Sequence, residues 1–322
     1  MSLDPDAGMT ELVCPRCHAS LDQYSGGLRC DSCRLDYPVT DDIADFSGGV
    51  YFDQFDAATA LPDEHRAALQ LEEEGTKRRI ASFYLPLIKR HPTEQQRVLD
   101  SGCGNGLSID LLQREGILAW GNDVSQLRRW QWRDRRHRRQ LVVAHTEHLP
   151  FPSSYFHGIV SSGLLEHVGV HETGGGQYHV RIRPDRDTQR SAVLKELLRV
   201  IRADGTIYLD FPNGDFPLDF WHGVAAGGAR PHSPFEGFLP TFRSVRALIR
   251  QIDPKIHCSL ISPAGRLEFR QVSRHALSRS LVPLARWWLE KLGKPYCRFL
   301  LHTPLNPFLV VKISRHRDSE LT

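Results

Sequence analysis

The chain has 322 residues, long enough for a catalytic domain and a smaller module, and its 40 % hydrophobic and 25 % charged composition excludes disordered and fibrous classes. No run of 18 or more apolar residues occurs, and the opening MSLDPDAGMT lacks the basic and apolar regions of a secretory signal, so a cytoplasmic location is expected. The net charge of +3 conceals an asymmetry: residues 1–75 carry 4 Lys/Arg against 16 Asp/Glu, a net −12, which leaves 37 against 22, a net +15, for the remainder. Such polarity predicts a basic domain with an anionic partner, or an acidic module held against a basic one.

The first informative segment is CPRC (Cys14, Cys17) followed, after twelve residues, by CDSC (Cys30, Cys33). Two such knuckles converge four thiolates on a tetrahedral Zn²⁺, and so short a segment cannot bury enough apolar surface to fold without a staple of this kind. A pair of disulfides is the alternative, and the lack of an export signal disfavours it. Four cysteines complete the shell without the neighbouring His18, so the zinc is read as structural. Boundaries are expected at 1–48 for the zinc ribbon, 49–96 for a linker with N-terminal helices, and 97–322 for the catalytic domain. The ribbon and its linker carry the acidic excess, which repels phosphate and favours docking on a protein partner.

From Arg97 apolar runs alternate with helical patterns, which predicts a doubly wound, seven-stranded Rossmann-like parallel sheet. The strands are expected at RVLDSGC, ILAWGND, LVVAHT, HGIVSSG, TIYLDFPN, HCSLIS and PFLVVKIS. LSIDLLQREG is read as the first helix and VSQLRRWQWRDRRHRRQ as the second. RSAVLKELLRVIRADG is a third, with Gly205 as its C-cap. The first turn, LDSGCGNG, holds Asp100, Gly102, Gly104 and Gly106. Glycines there let the backbone approach a ligand and turn sharply into a helix whose amides face it. The pattern is GxGxG rather than the GxGxxG of nicotinamide enzymes, although the spacing from Gly104 to Asp123 is compatible with either.

The segment from Arg97 to Asn213 resembles class I S-adenosylmethionine-dependent methyltransferases of the small-molecule type. DSGCGNG matches that family's first motif, Asp123 in WGNDVS its second, and AHTEHLPFPSSYFHGIVSSGLLEHV the run from the adenine loop through strand four. The resemblance implies that Asp100, Gly102, Gly104 and Gly106 surround the methionine part of the cofactor and that Asp123 accepts from its ribose hydroxyls. Val124, His145, Thr146 and Ser162 are placed beside the rest of it. The chain departs from the pattern at His145, where relatives carry an Asp near the adenine amino group. It departs again at His157, also commonly Asp. The ribbon's LDYPVTDDIADF is similar to zinc-ribbon modules fused to or partnering methyltransferases.

Methyl transfer from a sulfonium needs in-line alignment, and a base only where the acceptor must lose a proton. SSGLLEHV lacks the Asn/Asp-Pro-Pro-Tyr element of amino-directed enzymes, and no cysteine is placed as a nucleophile, so an oxygen or accessible nitrogen acceptor is expected. Glu166, His167 and His222 are the candidate catalytic residues, with Asp219 and His232 behind them; capping or bracing is the competing role for Glu166 and His167. Insertions at about 168–190, 213–240 and 263–307 are expected to shape the acceptor pocket, the first as a lid. The third contains RSLVPLARWWLEKLG, an amphipathic helix suited to a membrane surface or to packing on its own domain.

The reading is therefore a methyltransferase acting on a small-molecule, glycan or lipid-linked acceptor. An rRNA or tRNA methyltransferase is the alternative, and a non-catalytic partner protein a third. RRWQWRDRRHRRQ, Arg128–Gln140, has seven arginines. Placed on the helix after Asp123, it is expected to face solvent or the acidic ribbon rather than RNA.

Overall fold

A computed structural model describes residues 9–55, 63–90, 93–173, 179–222, 230–267 and 276–316. The chain forms two compact units, one of residues 1–160 with 195–206 and one of 161–194 with 207–322. Among the described residues no helix is long and apolar enough to cross a membrane.

The first unit opens with the ribbon strands β1 (Asp22–Tyr24), β2 (Gly27–Cys30), β3 (Leu35–Thr40) and β4 (Ile43–Asp45). Helices α1 (Asp63–Arg79) and α2 (Leu85–Ile88) follow, joined by a π-helical turn over Ile80–Tyr84. Then come β5 (Arg97–Ser101), α3 (Leu107–Arg114), β6 (Leu118–Asp123), α4 (Gln126–Trp132), β7 (Leu141–Val143) and β8 (Phe156–Ser162). Val98 and Leu99 of β5 are fully buried, as strands of a parallel sheet covered on both faces must be. Strand order in this unit is β1-β2-β3-β4-β7-β6-β5-β8.

The ribbon does not stand apart from the parallel strands. Strand β4 pairs in parallel with β7, Ala44 opposite Val142 and Asp45 opposite Val143, and the Phe46 amide donates to the Val143 carbonyl at 2.7 Å. Without it β7 would be an unpaired edge with orphaned backbone groups. In this unit the four expected strands β5 to β8 are therefore joined by the four of the ribbon, which supplies the neighbour that β7 would otherwise lack.

The arginine run differs from expectation in form and agrees in partner. Helix α4 stops at Trp132 instead of running to Gln140, and a short 3₁₀ turn covers Arg138–Gln140. Side-chain anchors draw the chain off the helical path: the His137 amide donates to Asp110 Oδ1 at 3.1 Å, and Arg135 Nε donates to the Asn105 carbonyl at 2.8 Å. Six of the seven arginines form ion pairs within this unit. Arg129 meets Asp45, Arg133 meets Asp41, and Arg138 and Arg139 share Asp42, all on the ribbon; Arg128 and Arg135 meet Glu72 and Glu73 of α1.

Burial separates these pairs by strength. Asp45 is 4 % exposed and accepts from Ser47 N, Ser47 Oγ, Tyr51 Oη and Arg129, whereas Asp42 and its two arginines are each about a third or more exposed. Asp45→Asn is expected to cost about 3 kcal/mol, as loss of one charge from a buried network does. Asp42→Asn should cost less than about 1 kcal/mol, because exposed pairs are screened. Guanidinium unfolding of the two variants checks this, and equal costs would contradict the ranking.

The second unit contains the end of β8, the first part of α5 (Arg186–Val200) and the last part of β11 (Ile201–Pro212), the remainder of each belonging to the first. Between β8 and α5 lies the hairpin β9 (Val170–Thr173) and β10 (His179–Ile182), with Glu172 opposite Val180. After β11 come β12 (Leu218–Asp219) and β13 (Arg230–Pro231), which pair Asp219 with Arg230. The unit finishes with α6 (Phe242–Ile252), β14 (His257–Ile261), α7 (Ala276–Leu292) and β15 (Phe308–Ser314). Its strand order is β11-β15-β14, with β14 antiparallel to β15 and Leu260 opposite Val311. Helix α6 is capped reciprocally by Thr241 and Ser244 and buries Val245 and Ile249, one turn apart. Gly205 lies inside β11 and does not cap α5: the helix ends at Val200, where Ser154 N and Tyr155 N take the carbonyls of Arg199 and Val200.

Candidate functional site

In the ribbon the four cysteine sulfurs lie within 4.8 Å of one another, Cys14 and Cys33 at 3.9 Å and Cys17 and Cys30 at 3.5 Å. Thiolates at a Zn–S distance near 2.3 Å in a tetrahedron stand roughly 3.8 Å apart, so these four fit the ion. Tyr37 Oη, 3.2 Å from Cys14 Sγ, supplies a hydrogen bond outside the ligand set.

The glycine turn of the first unit follows β5. Gly102, Gly104 and Gly106 all have positive φ, 76°, 55° and 73°, values that side chains with a Cβ resist. At Gly106 a Cβ would also lie 2.8 Å from Leu141 Cδ1 and 3.0 Å from Trp132 Cδ1. The turn is held from several sides. Gly102 N and Cys103 N donate to the Asn122 carbonyl, Trp132 Nε1 donates to the Gly104 carbonyl at 2.8 Å, and Gly104 N donates to Asp123 Oδ2 at 3.0 Å. Asp123 Oδ1 takes the Val124 amide at 2.7 Å, and each carboxylate oxygen keeps a further lone pair. Burial raises the Asp123 carboxyl above its ordinary value, against the opposing pull of the Arg128 charge and backbone amides. Asp100 is buried as the penultimate residue of β5, two positions before Gly102.

The remaining predicted cofactor residues have partners of their own. Thr146 Oγ1 is 3.1 Å from Ser101 Oγ and accepts from Asn122 Nδ2 at 3.1 Å. His145 Nε2 is 3.1 Å from the Val50 carbonyl, and the Phe52 amide donates to the Val124 carbonyl. Asp53 then holds the start of α4 through Ser125 Oγ at 2.7 Å and Gln126 N at 2.6 Å. The linker after the ribbon is thus laid along the residues that follow β6 and β7. In the second unit Ser162 Oγ donates to Asp210 Oδ1 at 2.9 Å, and Arg266 clasps the same carboxylate at 2.6 and 2.9 Å.

Also in the second unit, Glu166, His167 and His222 converge, with one ligand-capable atom from each inside 4.8 Å. A 3₁₀ turn over Leu165–His167 presents the first two. Arg190, buried on α5, fixes that turn by donating to the carbonyls of Glu166, Val168 and Phe238. Burial lowers the Arg190 guanidinium to about 10. His167 Nδ1 meets the Glu172 carboxylate, and His222 Nδ1 lies 3.1 Å from Asp219 Oδ2. The two imidazoles meet edge to face with centroids 5.1 Å apart. Burial opposes charge on His167, yet the Glu172 hydrogen bond and the Glu166 charge carry its pKa above the usual value. Burial also opposes charge on Asp219, but His222 and the amides of Trp221 and His222 hold it down to about 2. Burial raises Glu166, whose Oε2 has no hydrogen-bond partner among the described residues. His232, named with this group from sequence, is instead turned toward the Ser233 carbonyl and Glu236.

Several residues that organise these sites escaped the sequence reading: Asp53, Trp132, Arg190, Asp210 and Arg266. None belongs to a local motif. Arg190 sits in a helix, where an arginine is ordinarily solvated.

A family model described as a methyltransferase domain matches residues 99–209, and one described as Trm112p-like protein matches residues 12–42. No match was found among curated proteins. Solved structures similar to the chain include the complex containing the Haloferax volcanii Trm112 methyltransferase activator, at 16 % identity over 81 % of this chain and 100 % of that one, TM-score 0.43. A SAM-dependent methyltransferase from Archaeoglobus fulgidus is 16 % identical over 76 % of this chain and 94 % of that one, TM-score 0.42. The plantazolicin methyltransferase BpumL in complex with SAH is 13 % identical over 80 % and 91 %, TM-score 0.46. The two domain matches fall on the glycine turn with its acidic partner and on the four-cysteine cluster, and the chain accordingly carries a methyltransferase domain at residues 99–209 behind a Trm112-like zinc ribbon at residues 12–42.

Proposed function

We propose that this enzyme methylates an oxygen, or an accessible nitrogen, on a small-molecule, glycan or lipid-linked acceptor, with His167 as the general base. The observation that carries the reading is the pair of carboxylate-backed histidines, Glu172–His167 and Asp219–His222, beside the buried Glu166. A carboxylate on Nδ1 fixes the tautomer and leaves Nε2 of His167 to accept the proton of an acceptor hydroxyl. Arg190 keeps that imidazole in place through the carbonyls on either side of it. In this reading S-adenosylmethionine supplies the sulfonium methyl. Asp123 accepts from its ribose hydroxyls, Asp100 and the turn Gly102–Gly106 surround its methionine part, and Val124, His145 and Thr146 flank the remainder.

The RNA alternative rests on the order of zinc ribbon and methyltransferase domain, and the arginine run adds nothing to it. The arginine run that would grip phosphate is neutralised by Asp41, Asp42, Asp45, Glu72 and Glu73 within its own unit. Incubation with methyl-labelled cofactor and fractionated cell extract tests the choice: label is expected in small-molecule, glycan or lipid fractions, and label confined to RNA would overturn it.

The base makes a pH prediction. His167 acts neutral, so kcat/KM should rise with pH through a midpoint above the roughly 6.5 of an ordinary histidine. Glu172→Gln removes the negative charge that favours the charged ring and should move the midpoint down. His167→Asn should remove the limb and lower kcat by about 10²- to 10⁴-fold. An unchanged profile in both variants would exclude His167 as the base.

A further inference from the structure

The second unit exposes an apolar surface that nothing described above uses. Leu284 is 58 % exposed, Trp287 51 %, Tyr296 66 %, Phe299 67 % and Leu305 55 %. Scattered apolar residues on a surface are ordinary, but these are joined. Leu284, Trp287, Trp288 and Lys291 fall at helical spacing on α7, while Leu289 and Leu292, on another face, are buried in the unit's own core. Lys291 Nζ lies 5.6 Å from the Trp287 ring centroid and 3.5 Å from Tyr296 Oη, which links the helix to the 3₁₀ segment Pro295–His302. Tyr296 and Phe299, three apart in that segment, project to one side. Trp288 Nε1 donates to the Leu305 carbonyl at 2.9 Å, which brings the last member in.

The charge of this segment is mainly positive. Residues 283–305 contain Arg286, Lys291, Lys294 and Arg298, and their one acidic residue is Glu290. Tryptophan, tyrosine and lysine placed together suit a boundary at which rings enter an apolar layer while ammonium and hydroxyl groups stay in a polar one. We infer that the α7 face and the Pro295–His302 segment form a docking surface for an anionic lipid bilayer, lying on it rather than crossing it. The inference holds whichever acceptor is methylated. For a lipid-linked acceptor it would bring enzyme and substrate to one surface.

Co-sedimentation of the full-length protein with vesicles of phosphatidylcholine, and of phosphatidylcholine mixed with phosphatidylserine, tests it. Partitioning onto the mixed vesicles is expected to be at least about tenfold stronger, with a blue shift of tryptophan emission, and to weaken as salt rises. Trp287→Ser with Phe299→Ser should abolish it. Lys291→Gln, Lys294→Gln and Arg298→Gln together should reduce it about 100-fold, at about fivefold for each charge. Both variants should retain wild-type melting and cofactor affinity, because Trp287 and Phe299 are more than half exposed. Absence of partitioning, or partitioning equal in wild type and variants, overturns the proposal. So does a concentration-dependent dimer that Trp287→Ser with Phe299→Ser dissolves, because a second copy would then cover the patch.

Discussion

Asp123→Ala should weaken binding of S-adenosylhomocysteine by about 100-fold or more in calorimetry. The carboxylate ends β6 with both oxygens turned on the glycine loop, Oδ2 taking Gly104 N and Oδ1 taking Val124 N, and its remaining lone pairs are the acceptors proposed for two ribose hydroxyls. Hydrogen bonds to a charged group contribute about 1.5 to 3 kcal/mol each, so losing two removes at least about 3 kcal/mol, a factor near 100. The same substitution also releases the Gly104 amide, so the turn itself loosens. Asp123→Asn keeps the volume and one accepting oxygen, and it should bind roughly tenfold more weakly than wild type if the charge matters apart from the brace. Retained affinity in Asp123→Ala, with melting unchanged, would remove Asp123 from the cofactor site.

Atomic absorption is expected to find one zinc per chain, and Cys30→Ser, or exhaustive chelation, should remove it and lower the melting temperature by at least about 10 °C. Binding of a structural zinc contributes about 10 to 16 kcal/mol to small ribbons, so a ribbon without it unfolds. Here unfolding does not stop at the ribbon. It withdraws β4 from β7, it strips Arg129, Arg133, Arg138 and Arg139 of Asp41, Asp42 and Asp45, and it frees the linker that Phe52 and Asp53 tie to Val124 and α4. Four arginines left beside one another repel, so the loss should be larger at low salt. Cofactor affinity should fall with stability, because His145 and Val124 both lean on the linker. A metal-free chain that melts and binds cofactor as the zinc form does would show that the ribbon is an independent appendage.

Asp123 and Cys30 could both be singled out in the sequence because each belongs to a short-range pattern, a glycine turn between strands for the first and a repeated CxxC for the second. CxxC repeated at a short interval brings four thiolates together whatever the rest of the chain does, and glycines flanked by strand and helix patterns need positive φ. The alternation of apolar runs likewise located the strands, since periodicity is a property of neighbours in the chain, but it did not record their direction: HCSLIS and PFLVVKIS, expected in a parallel sheet, pair antiparallel as β14 and β15, and β11 begins at Ile201, where the third helix was expected to continue. The length of α4 was not legible. Its residues favour helix throughout, and the helix is ended by Asp110 and Asn105, which lie far off in sequence.

The sequence by itself determined the methyltransferase domain, the zinc ligands and the imbalance of charge between residues 1–75 and the rest. Tertiary structure decided what that imbalance does. An excess of arginine in one segment and of aspartate in another has the same composition whether the two meet or not. It is the pairing of β4 with β7 that sets Asp42 and Asp45 against Arg129, Arg138 and Arg139, and turns the most basic stretch of the chain into the mortar of a joint. The clustering of His167 with His222, and the support of the first by Arg190, were decided in the same way. Residues more than twenty positions apart become neighbours only when the chain is folded, and no local pattern records the distance between them.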